Sequence, residues 1–399
     1  MTNIQKNDGL RLASMLLITA ASIASAQAPA PAGTPGPATP AASAPVPAAA
    51  PADAPPAAPT WSVGPMDISG FIDGYYSYNY NRPGNSANGQ TNDLYNFNDK
   101  TDQFSLSAAK LTINHDPDPV GAHIDFLYGR TNTLVNNSGE GNYLEQAFLS
   151  FKPTKARGLE MDFGKFVTSA GSEVIESKDD WNYSRGLLFA WAIPYFHFGL
   201  RSSIPVTKTW TAGLQVVNGW NNVTKSNGGV TIGVTSGFVK PKYTWNVNYY
   251  TGPENPGTQK GYRNLIDTTL LLTPSPKFSA LINYDYGANK NTSSDEENSE
   301  TPHWQGIAVG ARGQVTPKAA LAGRFEYFDD PQGFSTGTPQ NVEEFTATYE
   351  YKWVEGLLAR AEYRRDWSST KFFHKGDTNM VDAQSTVTAG FVAFFGPKR

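Results

Sequence analysis

The sequence predicts an all-β, transmembrane antiparallel β-barrel of about sixteen strands, with short turns at one end and long loops at the other. Three observations carry that prediction. Apolar and polar residues alternate with a period of two, aromatics are abundant while charge is sparse, and short and long connections follow one another in turn. Aromatic residues make up 13% of the 399 and charged residues 17%, against a usual charged fraction of about 25%.

At the N-terminus, Lys6 and Arg11 precede an apolar run from Leu12 to Ile23 and then Ala24-Ser25-Ala26 before Gln27. These are the charged, apolar and small-residue parts of a secretory signal, expected over residues 1–26 with cleavage after Ala26. The run is shorter than the roughly 20 residues a spanning helix needs. Residues 27–60 are nearly all Ala and Pro, with almost nothing large enough to bury. Such a segment cannot offset its ordering entropy and is expected to be a disordered, extended periplasmic tail. The barrel is expected over residues 61–399.

Within that body the alternation recurs. Ala383, Val387, Ala389, Phe391, Ala393 and Phe395 share one face, while Gln384, Thr386, Thr388 and Gly390 share the other. Leu357, Ala359, Ala361, Tyr363 and Trp367 oppose Arg360, Glu362, Arg364 and Asp366. Leu321, Phe325 and Tyr327 oppose Arg324 and Glu326; Ile307, Val309, Ala311 and Val315 oppose Arg312 and Gln314; Tyr243, Trp245, Val247 and Tyr249 oppose Thr244, Asn246 and Asn248. A period of two places one set toward lipid and the other toward water.

Short Pro-containing turns are expected at 116–119, 152–154, 204–206, 239–242, 273–276 and 316–318. Between them lie longer polar loops near 81–100, 134–142, 169–190, 220–228, 253–261, 289–302, 330–341 and 368–380. This asymmetry is that of barrels with short periplasmic turns and long external loops. Tyr76, Tyr78, Tyr80, Tyr249, Tyr250, Tyr284, Tyr286, Tyr327 and Trp367 fall near the long loops, and Phe151, Tyr351, Trp353, Phe394 and Phe395 beside the short turns. Two aromatic girdles are the expectation.

Other chemistries find little support. The chain has no Cys, which removes disulfides, thiolate metal sites and thiol nucleophiles. A net charge of −4 without a basic block leaves no nucleic-acid footprint. His115, His123, His197, His303 and His374 are dispersed without metal-ligand spacing, and no nucleophile elbow or phosphate loop is present. Neither an enzyme nor a cofactor nor a metal is expected.

From Ile68 to the C-terminus the chain resembles the OmpL-like β-barrel porins of Gram-negative outer membranes. The resemblance is carried by GFIDGYYSYNYN at 70–81, FGKFVTSAG at 163–171, NYSRG at 182–186, IPYFHFGLR at 193–201, VVNGW at 216–220 and the terminal FVAFF at 391–395. It implies a pore in the outer membrane for passive diffusion of small hydrophilic solutes. Outer-membrane lipid and lipopolysaccharide are then its surroundings, and a homotrimer its assembly. The competing reading is a closed or plugged barrel acting in adhesion or envelope anchoring. A third is a sugar- or organic-acid-binding barrel, with Phe71, Tyr75 and Phe328 on the inward parity.

About sixteen strands leave an aqueous lumen, which something must narrow. The loop from Ser169 to Ala190 follows the fifth expected strand. It carries Glu173, Glu176, Asp179 and Asp180 against Lys178 and Arg185, with Val174, Ile175 and Trp181 as apolar anchors. The resemblance to porins implies that it folds inward. Arg312, Arg324, Arg360 and Arg364 lie on the inward parity of late strands with Glu326 and Glu362, expected across the barrel from that loop. Facing rows of opposite charge would set up a transverse field. Alternatively the Arg residues pair along the wall with Glu326, Glu362, Asp366 and Glu350.

Overall fold

The computed structural model describes residues 62–63, 65–84, 90–136, 141–291 and 300–397. The expected signal segment (1–26) and Pro/Ala tail (27–60) lie outside the described residues.

Sixteen strands build the barrel. The first eight are β1 Met66–Asn79, β2 Gln103–His115, β3 Val120–Tyr128, β4 Leu144–Phe151, β5 Glu160–Val167, β6 Phe196–Thr207, β7 Trp210–Val217 and β8 Thr231–Lys240. The second eight are β9 Tyr243–Pro253, β10 Tyr262–Ser275, β11 Phe278–Asn289, β12 His303–Thr316, β13 Ala319–Asp330, β14 Gln340–Val354, β15 Leu357–Ser368 and β16 Ala383–Phe395. Each pairs antiparallel with its sequence neighbours, and β16 returns to β1, from Thr386 opposite Asn79 to Phe395 opposite Gly70. Closure gives every strand two partners, which satisfies the backbone where a bilayer offers none. Two smaller pieces are added: Ser62–Val63 pairs with the start of β1, and Phe373–Lys375 forms a hairpin with Asn379–Val381 in the last loop. A helix, α1, covers Arg130–Asn136 in the second long loop.

Seven turns and eight longer loops alternate as the sequence predicts, with two local differences. Ile204-Pro205-Val206 is not a turn but part of β6, where Pro205 opposes Thr211 and the register shifts before Thr207; the turn falls at 208–209. Thr273-Pro274 likewise stays in β10 beside a register shift, and its turn is at 276–277. Proline lacks a ladder donor, and an irregularity at a strand end tolerates that loss. The turn at 355–356 uses no proline; Gly356 supplies a φ of +83° instead.

The alternation sorts residues as expected. On the outside, Ile307, Phe325, Phe345 and Phe391 are 41% to 56% exposed, which in a bilayer is contact with hydrocarbon. Girdle contacts appear at both ends: Tyr78 meets Tyr80 edge-on at 5.2 Å, and Tyr351 meets Trp353 at 5.4 Å. Tyr250 departs from the expectation. It shares the even parity of Asn246 and Asn248, points inward and is buried.

The core lies inside the barrel, not between layers. Inward glycines make room for it: a Cβ on Gly390 would lie 2.4 Å from the Tyr183 ring, and one on Gly306 would lie 2.7 Å from Leu188. Both partners belong to the loop that follows β5.

Candidate functional site

Residues 168–195 join β5 to β6 and turn inward, with a single 3-10 turn at Ser177–Asp179 and a short helix, α2, at Leu187–Trp191. Most of this backbone is neither strand nor helix, so its N–H and C=O groups need partners from the wall. Irregular backbone at membrane depth is tolerated only where protein or water supplies them.

The wall supplies them mainly through charged side chains. Arg360 donates to the carbonyls of Ser177, Asp180 (2.5 Å) and Asn182 (3.3 Å). Arg324 donates to Ser184 O at 2.7 Å, and Arg364 to Arg185 O at 2.7 Å. Glu362 accepts from Tyr183 N at 2.5 Å and Ser184 N at 2.9 Å, while Glu326 accepts from Leu187 N. Asp73 on β1 accepts the Tyr183 hydroxyl at 2.6 Å and the Ser177 hydroxyl at 2.7 Å. At the base of the loop, Gly171 N donates to Asp267 at 2.9 Å and Asn248 donates to Ser169 O at 2.7 Å. His197 bridges Thr168 Oγ1 (3.1 Å) and Gly219 O (3.0 Å), tying this loop to the next.

Among the described residues, one of the predicted wall arginines meets a loop carboxylate, and the wall arginines otherwise pair along the wall, as the alternative expectation had it. Arg324 lies 2.5 Å from Glu173 and 2.8 Å from Glu344. Arg360 lies 2.7 Å from Glu350, and Arg364 lies 2.7 Å from Asp366. Arg324, Glu326, Arg360, Glu362 and Arg364 are all 5% exposed or less. The sequence shows which face each charge occupies but not that a loop covers it, and charges taken out of water require partners. Arg312 is the exception on the wall: no contact joins it to the loop among the described bonds, and it pairs with Glu350 at 2.9 Å, partly exposed.

On the loop itself, Arg185 is buried over the Phe97 ring and donates to the carbonyls of Tyr183 and Ile175. Asp180 lies 3.6 Å from Arg185 and accepts from Val174 N at 2.9 Å; burial pushes its carboxyl well above the ordinary range. Asp179 is exposed and pairs with Lys178 at 2.5 Å. Glu176 reaches Lys110 on β2; burial alone would raise its carboxyl, but the Lys110 charge brings it down. The carboxylates of Asp125, Glu145 and Glu176 lie within 4.8 Å of one another, a set of cation-ligand type. The Lys110 ammonium already sits among them, at 2.9 Å from Asp125 and 2.6 Å from Glu145.

Phe71, Tyr75 and Phe328 do not face an open lumen. Phe71 and Tyr75 pack with Tyr183, and Phe328 packs in the cluster that holds α2. They are buried, and none of them lines the opening between the loop and the wall.

The loop leans on β13, β15 and β1, which leaves an opening on the opposite side. That opening, about 1650 Å³ of atom-free space continuous with open solvent, runs between the loop and the inner faces of β5 to β12, and Arg324 of β13 also lines it. Thr211, Thr235, Thr244, Asn246, Asn248 and Thr269 line it, together with Arg201, Gln215 and the loop residue Trp181. Arg201 and Gln215 were not singled out by sequence reasoning. The signal was present: in the strand after IPYFHF, Arg201 follows the lipid-facing Leu200 on the inward parity.

A family model described as "Putative beta-barrel porin-2, OmpL-like" matches residues 65–395. No curated protein matches the chain in sequence. Among solved structures, the chain is similar to the trimer form of OmpT, an outer membrane protein of Vibrio cholerae. The identity is 14% and the TM-score 0.52, covering 83% of this chain and 99% of that one. It is similar also to the anion-selective porin from Comamonas acidovorans, at 10% identity and TM-score 0.55, covering 83% and 99%. The outer membrane channel DcaP of Acinetobacter baumannii gives 11% identity and TM-score 0.54, covering 82% and 96%. At these identities the likeness concerns the fold.

Proposed function

The chain belongs to the OmpL-like β-barrel porin family, and on that premise we propose that it is a passive diffusion channel for small hydrophilic solutes in the outer membrane, its lumen narrowed by residues 168–195. The observation that carries this reading is the opening between the loop and β5 to β12, lined by hydroxyl and carboxamide side chains. Water and hydrophilic solutes can hydrogen-bond to such a surface, while lipid meets only the apolar outside. The loop sets the width of the opening through its bonds to Arg324, Arg360 and Glu362, not through a field across the lumen.

In the same reading, residues 1–26 direct export and are removed after Ala26, residues 27–60 form a periplasmic tail, and the barrel begins near residue 61. Lipid and lipopolysaccharide surround it, in a homotrimer. A plugged barrel serving adhesion or anchoring is the second reading. It draws support from the hydrophobic cluster at the loop end, where Phe97, Phe189, Trp191, Trp304 and Phe373 join residues of several loops.

Conductance of the refolded mature barrel in a planar bilayer decides between them. Stepwise openings of constant size are expected. Silence from protein shown to be folded and inserted contradicts the channel and favours the plugged barrel.

A further inference from the structure

We infer that the open half of the lumen is a path for neutral, polyhydroxylated ring solutes of the sugar class, with a contact point built from Trp181, Arg201 and Gln215. The inference rests on the channel reading above and adds the chemical class of what passes.

The lining carries little net charge. Every carboxylate lining the opening has a cation beside it: Glu160 with Lys152 at 2.9 Å, Asp162 with Arg201 at 2.7 Å, Glu173 with Arg324 at 2.5 Å, Asp179 with Lys178 at 2.5 Å and Asp180 with Arg185 at 3.6 Å. The remaining polar lining is hydroxyl and carboxamide. An ion entering this space leaves its hydration shell for a surface with little net charge to compensate it. A neutral solute loses far less.

Two polar side chains on this wall keep an atom that no protein group satisfies. Arg201 and Gln215 face each other across β6 and β7 as Cα partners, and they are 7% and 2% exposed. Arg201 spends Nε on Asp162 and rests its guanidinium on the Phe148 and Phe166 rings, at 5.0 and 4.6 Å, but its Nη2 has no protein partner. Gln215 donates to Ser169 Oγ at 3.0 Å, while its Oε1 has no protein partner. Both residues line the slot, and each carries one buried polar atom, a donor and an acceptor, that no protein group satisfies. An anion satisfies the first and is repelled by the second and by Asp162; a cation meets the reverse. Adjacent hydroxyls on a ring can do both, one accepting and its neighbour donating.

Part of the slot is apolar. Val174, Leu271 and Leu281 line it with Trp181, whose half-buried ring lies 3.7 Å from where a Cβ on Gly310 would stand. Small-molecule sites combine such an apolar wall with a few placed polar groups. A sugar ring offers C–H groups to an aromatic wall and hydroxyls to a polar one.

Two measurements on the full barrel test this, with glucose and gluconate as probes of nearly equal size and different charge. Proteoliposomes should admit glucose about tenfold faster than gluconate, and glucose in the bath should reduce the single-channel ion current. The half-blocking glucose concentration should rise about tenfold in Gln215→Leu and in Trp181→Ala, the size of one lost contact. If Gln215→Leu does not assemble, Trp181→Ala keeps the test, because it removes a half-buried loop side chain. Equal entry of both probes, or a current indifferent to glucose, overturns the inference while ion conduction leaves the channel standing. Absence of any current overturns the channel reading and this one with it.

Discussion

The two halves of the inner wall are made from the same alternating strands and carry opposite chemistry. On β13, β15 and β1, inward positions hold Arg324, Glu326, Arg360, Glu362, Arg364 and Asp73, and all are buried beneath the loop. On β7 to β10, inward positions hold Thr211, Thr235, Asn246 and Thr269 and face the opening. The charged half has become a binding surface for an irregular loop backbone. The other half, mostly hydroxyl and carboxamide with its few charges paired, faces the opening. Charge on β13, β15 and β1 therefore marks where the loop is held.

Arg360→Ala should break this division most severely. It removes three bonds to loop carbonyls and leaves Glu350 with Arg312 alone, and breaking a buried charged network costs about 3–5 kcal/mol. Hydrogen exchange across residues 173–186 should rise sharply, with larger and noisier conductance. Gly390→Val comes next. Its side chain occupies the space of the Tyr183 ring, and overpacking of this kind costs roughly 1–3 kcal/mol. Exchange at Tyr183 and Ser184 should rise with the rest of the barrel unchanged.

Arg312→Gln sharpens the comparison from the other side. Its pair with Glu350 is partly exposed and should contribute only about 0–1 kcal/mol, so exchange in the loop should match the parent. The smallest effect is expected far from both halves, where His374 in the hairpin of the last loop meets Asp93 at 2.9 Å. The hydrogen bond to Asp93 raises the His374 imidazole above its usual value, against some burial. A raised value in the folded state means that the contact is fully present below the ordinary histidine range and is lost as pH rises through the folded value. Protection of residues 372–381, corrected for the intrinsic pH dependence of exchange, should therefore be greater at pH 6 than at pH 8, and His374→Gln should remove that difference.

Much of the barrel was legible because its rule is local. A period of two fixes which face Arg360 and Ala361 occupy, and turn chemistry fixes most strand ends. Where a local rule has two solutions the reading slipped, as at Pro205, which terminates a strand or sits in an irregularity of one. The loop's position after β5 was also legible, and of its expected apolar anchors Ile175 is buried while Val174 and Trp181 line the opening. What the loop touches was not. The contacts Arg360 to Ser177 and Tyr183 to Asp73 join residues more than 100 positions apart, and no periodicity encodes them. Burial beneath the loop, not strand parity, decides that Phe71, Tyr75 and Phe328 are anchors while Trp181 faces the opening.

The absence of cysteine in the native chain makes the central claim directly testable with single-cysteine variants in a planar bilayer. Thr244→Cys stands on the wall that faces the opening, and Thr348→Cys stands beneath the loop, where Asn182 donates to the native hydroxyl at 2.7 Å. A charged thiosulfonate reagent added to the bath should lower conductance in the first variant and leave the second unchanged. Modification of Thr348→Cys with an inert Thr244→Cys would place the solute path on the charged half and contradict the account.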